Sequence, residues 1–161
     1  MPDGAVRDMA ARIATMAPSP DLAIVHCSGA LGLDALDALS VNPRGSFHPL
    51  QSFPAPRDVS AFRGITIAVD ATTRALDRRL RALARSLGAV PRRVDDRERV
   101  AYHAAAVFAS NFVDVVVAEA VRLLATLGWS EKESLDALIP LVEGAVENIR
   151  RRGPVQALTG P

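Results

Sequence analysis

Three places along the chain carry side chains that could hold or move a proton: His26-Cys27-Ser28-Gly29, His48-Pro49, and a set made of Arg99, His103, Ser110 and Asp114 with Asn111 beside it. Imidazole suits hydrogen-bond donation to a carbonyl or hydroxyl oxygen. Ser28, the Gly29 N–H, Ser110 and Asn111 have the chemistry to orient a small polar ligand. Each place also has a plainer reading. Ser28 and Gly29 could simply make a tight strand-to-helix turn capped by the serine, and His48 could be a structural residue fixing a proline-rich loop. At about 100° per residue Arg99, His103, Ser110 and Asp114 fall on one helical line. Such a stripe is ordinarily a solvated face, yet His, Ser and Asn stand here where Glu and Lys would be usual. Cys27 has no base at a suggestive spacing and reads as a small buried hydrophobe.

The elements that position these residues follow from apolar patterning. Val6, Met9, Ala10, Ile13 and Met16 recur at helical spacing after Pro2-Asp3, with Asp3 as the expected N-cap, and Pro18 and Pro20 end that helix. Leu22-Ala23-Ile24-Val25 is a continuous apolar run of the kind buried in a parallel strand, and it stops at His26. A short helix is expected over residues 31–39, and a strand at Gly45-Ser46-Phe47 ending on His48-Pro49. The proline-rich segment 51–63 reads as an ordered loop. Residues 65–69 predict a further strand, residues 70–87 an amphipathic helix with Leu76, Leu80, Leu83 and Leu87 on one face and Gly88 at its end, and residues 90–94 a last strand. Strands alternating with helices predict an α/β fold with a mainly parallel sheet.

From Asp95 to Gly128 the pattern reads as a single helix of about nine turns. Gly128 ends it, and Ser130 with Glu133 forms a capping box for a second helix that runs to Arg152 through Pro140, where a kink is expected. Residues 1–94 are therefore expected to be α/β and residues 95–161 all helical. An apolar helix of that length cannot bury every side within 161 residues, so a partner helix is expected.

Composition narrows the function. Hydrophobic residues make up 49% and aromatics 4%, so Ala, Val and Leu must build the core. Nineteen Lys plus Arg against eighteen Asp plus Glu leave a formal charge of +1. With no basic stripe and no stacking aromatics beside one, nucleic acid is not an expected partner. A single Cys27 excludes an internal disulfide and any thiolate metal cluster, and no metal site is expected. The most apolar stretch, residues 104–118, is interrupted by Ser110, Asn111 and Asp114 and is too short to span a bilayer. A cytoplasmic setting, away from membranes, is the expectation.

Three stretches together resemble a known family: residues 25–32, Val-His-Cys-Ser-Gly-Ala-Leu-Gly; residues 46–53, Ser-Phe-His-Pro-Leu-Gln-Ser-Phe; and residues 102–111, Tyr-His-Ala-Ala-Ala-Val-Phe-Ala-Ser-Asn. With the closing Ala157-Leu158-Thr159-Gly160-Pro161, they are similar to the Rossmann-like family that carries a C-terminal domain of unknown function, number 2520. That family is grouped with NADP-dependent oxidoreductases and laid out like pyrroline-carboxylate reductase and 6-phosphogluconate-type dehydrogenases. The resemblance implies an incomplete Rossmann-like sheet over residues 1–94 and a helical dimerisation and substrate domain over residues 95–161. It implies NADP or NAD as cofactor in the intact protein, a small-molecule substrate, and a homodimer through the long helix.

The resemblance also implies something missing. No G-x-G-x-x-G precedes a helix here, and Ser28-Gly29-Ala30-Leu31-Gly32 lacks that spacing, so the cofactor-binding residues are not identified and this chain is expected to bind none tightly. Met1-Pro2-Asp3 resembles the family's Val-Pro-Asp late in the Rossmann domain, and the family continues beyond Gly160-Pro161, which together imply truncation at both ends. In prephenate-dehydrogenase-type enzymes a similar His-Pro pair contacts substrate, which points to His48. Hydroxyacid dehydrogenases carry Lys-x-x-x-Asn on the interdomain helix. Asn111 matches the Asn, but Val107 stands at the Lys position, and His103 is the substitute one turn earlier. The expected function is an oxidoreductase fragment with His48 and His103 polarising the substrate oxygen, and Ser28, Gly29, Ser110 and Asn111 orienting the substrate. The alternative is a non-catalytic dimerisation or ligand-sensing module.

Overall fold

The computed structural model describes residues 2–158; Met1 and Thr159-Gly160-Pro161, two of the stretches carrying the readings of the ends, lie outside the described residues. The chain divides into two compact units, Met1–Val107 and Phe108–Pro161. The 94/95 junction expected from the sequence thus lies inside the first unit, because the start of the next helix packs there.

The first unit is an α/β layer. A short 3₁₀ turn at Asp3–Ala5 leads into α1, Val6–Thr15; Asp3 makes no N-cap bond and is itself part of the turn. Strand β1, Ile24–His26, is followed by a 3₁₀ segment, Leu33–Leu39, then β2, Arg44–Pro49, and β3, Thr66–Ala71. Helix α2, Arg74–Ser86, and β4, Val90–Arg93, complete it. The sheet order is β1-β2-β3-β4, parallel at β1/β2 and β3/β4 and antiparallel at β2/β3. The long return through residues 50–65 brings β3 back alongside β2. Two parallel ladders out of three give the mainly parallel sheet expected from the sequence. Since β1 and β2 run together, their carboxyl ends share one rim.

Two apolar clusters hold this unit. Phe47, Ile67, Val69, Leu76, Leu80, Ala84 and Ala89 fill the space between the sheet and α2, and Val6, Ala10, Ala35, Leu36 and Leu39 join α1 to the 3₁₀ segment. Each fully buried Leu, Ile or Val contributes about 1.5–3 kcal/mol. The buried face of α2 is Leu76, Leu80 and Ala84, while Leu83 is 48% exposed. The i, i+4, i+8 line took the small Ala84 where the leucine at 83 was expected. Asp70 is not helical but lies buried near the end of β3; Thr73 is the cap of α2, accepting from the Leu76 N–H at 3.2 Å. Gly88, at φ +77°, supplies the left-handed residue that ends α2 and turns the chain toward β4.

The predicted nine-turn helix is two elements. A turn at Asp95–Glu98 precedes α3, Arg99–Ala109, with the Glu98 carboxylate accepting from the Asp95 N–H at 3.0 Å. Ser110 leaves the helical region (φ −128°, ψ −78°), and α4, Asn111–Ala125, starts after it. Together Arg99–Ala125 is long and apolar enough to cross a bilayer by length and composition, a length the apolar core of residues 104–118 alone does not suggest. The second unit holds α4 packed on α5, Glu131–Arg152, which runs unbroken through Pro140. The capping box is present: Ser130 Oγ accepts from the Glu133 N–H, and the Glu133 carboxylate accepts from the Ser130 N–H.

Candidate functional site

The rim at the ends of β1 and β2 is polar inside. His26 is buried, and its two ring nitrogens are spoken for: Nδ1 accepts from the Ser28 N–H and Nε2 lies 3.2 Å from the Gly32 carbonyl. A carbonyl can only accept, so His26 carries its proton on Nε2. Burial, reinforced by the Arg99 charge, pushes its pKa down. His26 is a fastener of the turn. Ser28 serves the same turn: its Oγ accepts from the N–H groups of Ala30 and Leu31 at 3.2 and 3.0 Å. Cys27, between them, is exposed, where a buried hydrophobe was expected; the alternation along an extended chain turns it outward, and desolvation pushes its thiol up, away from thiolate chemistry.

His48 stands on the adjacent strand. The imidazole lies against Gly29, where a Cβ would come within 2.7 Å of its Cε1 and 2.8 Å of its Nε2. A side chain at 29 would displace the ring. His48 Nδ1 is 2.8 Å from the Tyr102 hydroxyl, with the rings edge to face at 5.6 Å between centroids. Burial lowers the His48 pKa first, and the His103 and Arg99 charges lower it further. Burial raises that of Tyr102, which keeps its proton. His103, partly buried on the same helix, has a buried Nδ1 with no hydrogen-bond partner among the described residues.

Arg99 anchors this side. It is 1% exposed, donating from Nη1 to the Ser28 carbonyl and from Nη2 to the Val94 carbonyl, both at 3.4 Å. Its Nε faces Asp96 Oδ1 at 3.8 Å, and that same oxygen accepts from the Leu33 N–H at 3.1 Å. Arg99 lay on a helical line that is ordinarily a solvated face; it is instead a buried clamp between the β1 turn and the chain after β4.

The structure therefore brings Ser28, Gly29, His48 and His103 into one unit, with Tyr102, Arg99 and Asp96 added. Ser110 and Asn111 belong to the second unit, at the head of α4, where Ser110 Oγ donates to Asn111 Oδ1 at 2.9 Å. The helical line seen in the sequence is divided by the break at Ser110. Tyr102 is not among the site candidates singled out in the sequence. The signal that could have found it is its spacing: residues 99, 102 and 103 share one helix face.

The Ser28–Gly32 turn does not fit a dinucleotide pyrophosphate. The Ala30 and Leu31 N–H groups that would face the anion bond to Ser28 Oγ, the Leu33 N–H bonds to Asp96, and only a seven-residue 3₁₀ segment follows. No group of three His, Cys, Asp or Glu able to hold a metal ion occurs among the described residues.

A Rossmann-like α/β sheet of an oxidoreductase-like fold, with imidazoles at the strand ends, is the class that the fold and rim define. The chain belongs to the family described as "Domain of unknown function (DUF2520)", whose model matches residues 65–161. Among solved structures it is similar to a "putative NADP oxidoreductase" of Bacteroides fragilis, with 26% identity and a TM-score of 0.84 over 100% of this chain and 60% of that one. A Thermotoga maritima protein is similar at 27% identity and a TM-score of 0.79, covering 100% of this chain and 61% of that one. The pyrroline carboxylate reductase of Plasmodium falciparum, solved with NADP bound, shares the fold at 12% identity and a TM-score of 0.64, over 94% of this chain and 58% of its own. The chain thus spans about three-fifths of the length of these relatives. Among curated proteins nothing matches it.

Proposed function

We propose that this chain is the substrate-side part of an NAD(P)-dependent oxidoreductase that transfers hydride to or from a small carbonyl or hydroxyl compound. The observation that carries the reading is the His48–Tyr102 pair at the rim, beside His103, in a fold shared with proteins described as NADP oxidoreductases. His48 supplies a hydrogen bond to the substrate oxygen and His103 is the second imidazole at hand; Ser28 and Gly29, in the same unit, are the proposed substrate contacts. The dinucleotide itself is held by residues outside this chain. The test is titration of reduced NADP and NAD into the protein as its gene encodes it and, separately, into residues 1–161. Binding by the former in the usual substrate range, below roughly 1 mM, with none by the latter, is expected. Absence of binding by both would overturn the reading.

The bare apolar surface of the second unit favours a further role for it. Phe108, Val116, Leu123, Leu127 and Leu141 are all more than 60% exposed, and α4 buries no residue. Monomeric soluble proteins rarely leave such a face open. The face supports a homodimer through α4 and α5, and the same face would serve a ligand-sensing module without turnover. Sedimentation at micromolar concentration showing a monomer would count against the dimer.

A further inference from the structure

His26 and His48 occupy the same rim, yet the chain treats them differently. Both ring nitrogens of His26 are bonded to backbone. His48 has one bonded nitrogen, Nδ1, and its partner is a side chain from a distant helix. We infer that Tyr102 is a positioning residue: its O–H donates to His48 Nδ1, fixing the neutral imidazole with its proton on Nε2, so that Nε2–H is the donor offered to a ligand oxygen.

The geometry carries this. The Tyr102 phenol has one proton to give and no other acceptor for it among the described residues, and at 2.8 Å the His48 nitrogen is a full hydrogen-bond partner for it. A nitrogen that accepts cannot carry a proton, so a neutral ring must hold its own on the opposite side. Gly29, having no side chain, lets the backbone lie against the imidazole, and Tyr102 meets the ring edge to face, so the ring is held in both position and orientation. The charges that bear on it keep it neutral: His103 and Arg99 from α3 and His26 from β1 oppose protonation, and Asp3 alone favours it. The consequence is chemical. A ring held with Nε2–H donates to a carbonyl or alkoxide; the opposite tautomer would present a lone pair there and could only accept. The identity of that ligand rests on the oxidoreductase reading; the tautomer does not.

Long-range ¹H–¹⁵N spectra of the imidazoles in residues 1–161 decide it. His26 serves as the internal standard, because the backbone fixes its proton on Nε2. The wild-type His48 is expected to give the same pattern, with Nδ1 unprotonated. In Tyr102→Phe the ring remains and the donor goes: His48 should become a mixture of tautomers and its proton affinity should rise roughly three- to tenfold, the net worth of one hydrogen bond to the neutral form, while the His26 pattern stays as it was. A wild-type His48 protonated on Nδ1 overturns the inference, with no variant needed. So does a Tyr102→Phe protein with His26 intact and His48 unchanged. Neither result depends on whether any dinucleotide binds, so a failed oxidoreductase reading and a failed tautomer assignment are separate outcomes.

Discussion

In the first unit a guanidinium is 1% exposed, while in the second Leu123 and Leu127 are each 70% exposed. The contrast runs against simple hydropathy and shows where each unit's stability comes from. At the rim of the first unit a polar network holds the turn: buried Arg99 donates to two carbonyls, buried His26 is bonded to the turn, and exposed Asp96 accepts from the Leu33 N–H, while His103 Nδ1 has no partner among the described residues. A buried polar group without a partner costs more than the bond itself is worth, so such a network specifies one arrangement. The second unit has helix caps and the contact between α4 and α5, but little buried apolar surface. The first unit is held by buried contacts; the second leaves much of its apolar surface exposed.

Substitutions can break that contrast. The largest effect should come from Leu80→Ala, in the cluster between α2 and the sheet, with a loss of about 2–5 kcal/mol in urea unfolding of the first unit. Next is Arg99→Leu, which leaves the Ser28 and Val94 carbonyls without their donor and should cost about 1–3 kcal/mol. Ser130→Ala removes the cap of α5 and should cost about 1 kcal/mol. Leu123→Lys should change the folding stability of an isolated unit by less than about 0.5 kcal/mol yet abolish self-association in sedimentation. A large folding loss there would mean that the face is already covered within the chain.

The histidines give the first unit a pH signature. His26 and His48 are both held below the ordinary imidazole value of about 6.5. Above that value they are neutral folded or unfolded and add no slope. As pH falls below it, the unfolded chain takes up protons that the folded chain resists, so stability declines until the folded values are passed. Asp70, raised by burial, acts in the opposite sense nearer the carboxylate range. Urea midpoints should therefore fall from about pH 7 to about pH 5; a midpoint that rises over that range contradicts the burial of the two rings.

How much of this the sequence showed depends on how local each feature is. The strands and α2 were readable because continuous apolar runs and a leucine period act within a few residues. The strand ends holding His26 and His48 were readable for the same reason. The antiparallel β2/β3 pairing was not, since it depends on where a long proline-rich return delivers the chain. The break at Ser110 had a faint signal: Ser-Asn followed by an acidic residue, Asp114, is helix-start chemistry, but it lay inside an apolar run. Arg99 was misread because a charge next to Asp95, Asp96 and Glu98 looks solvated. Its burial is decided by Ser28, some seventy residues earlier. Tyr102 was missed for the same reason, its partner being His48.

The most direct test of the account is turnover at the His48 rim. In the protein as its gene encodes it, oxidation of reduced dinucleotide should be followed across small carbonyl compounds, comparing wild type with His48→Ala. The account predicts a fall in kcat of about 10²–10⁴-fold, the usual worth of a positioned proton donor, with dinucleotide affinity unchanged. A variant that turns over as fast as wild type would contradict it.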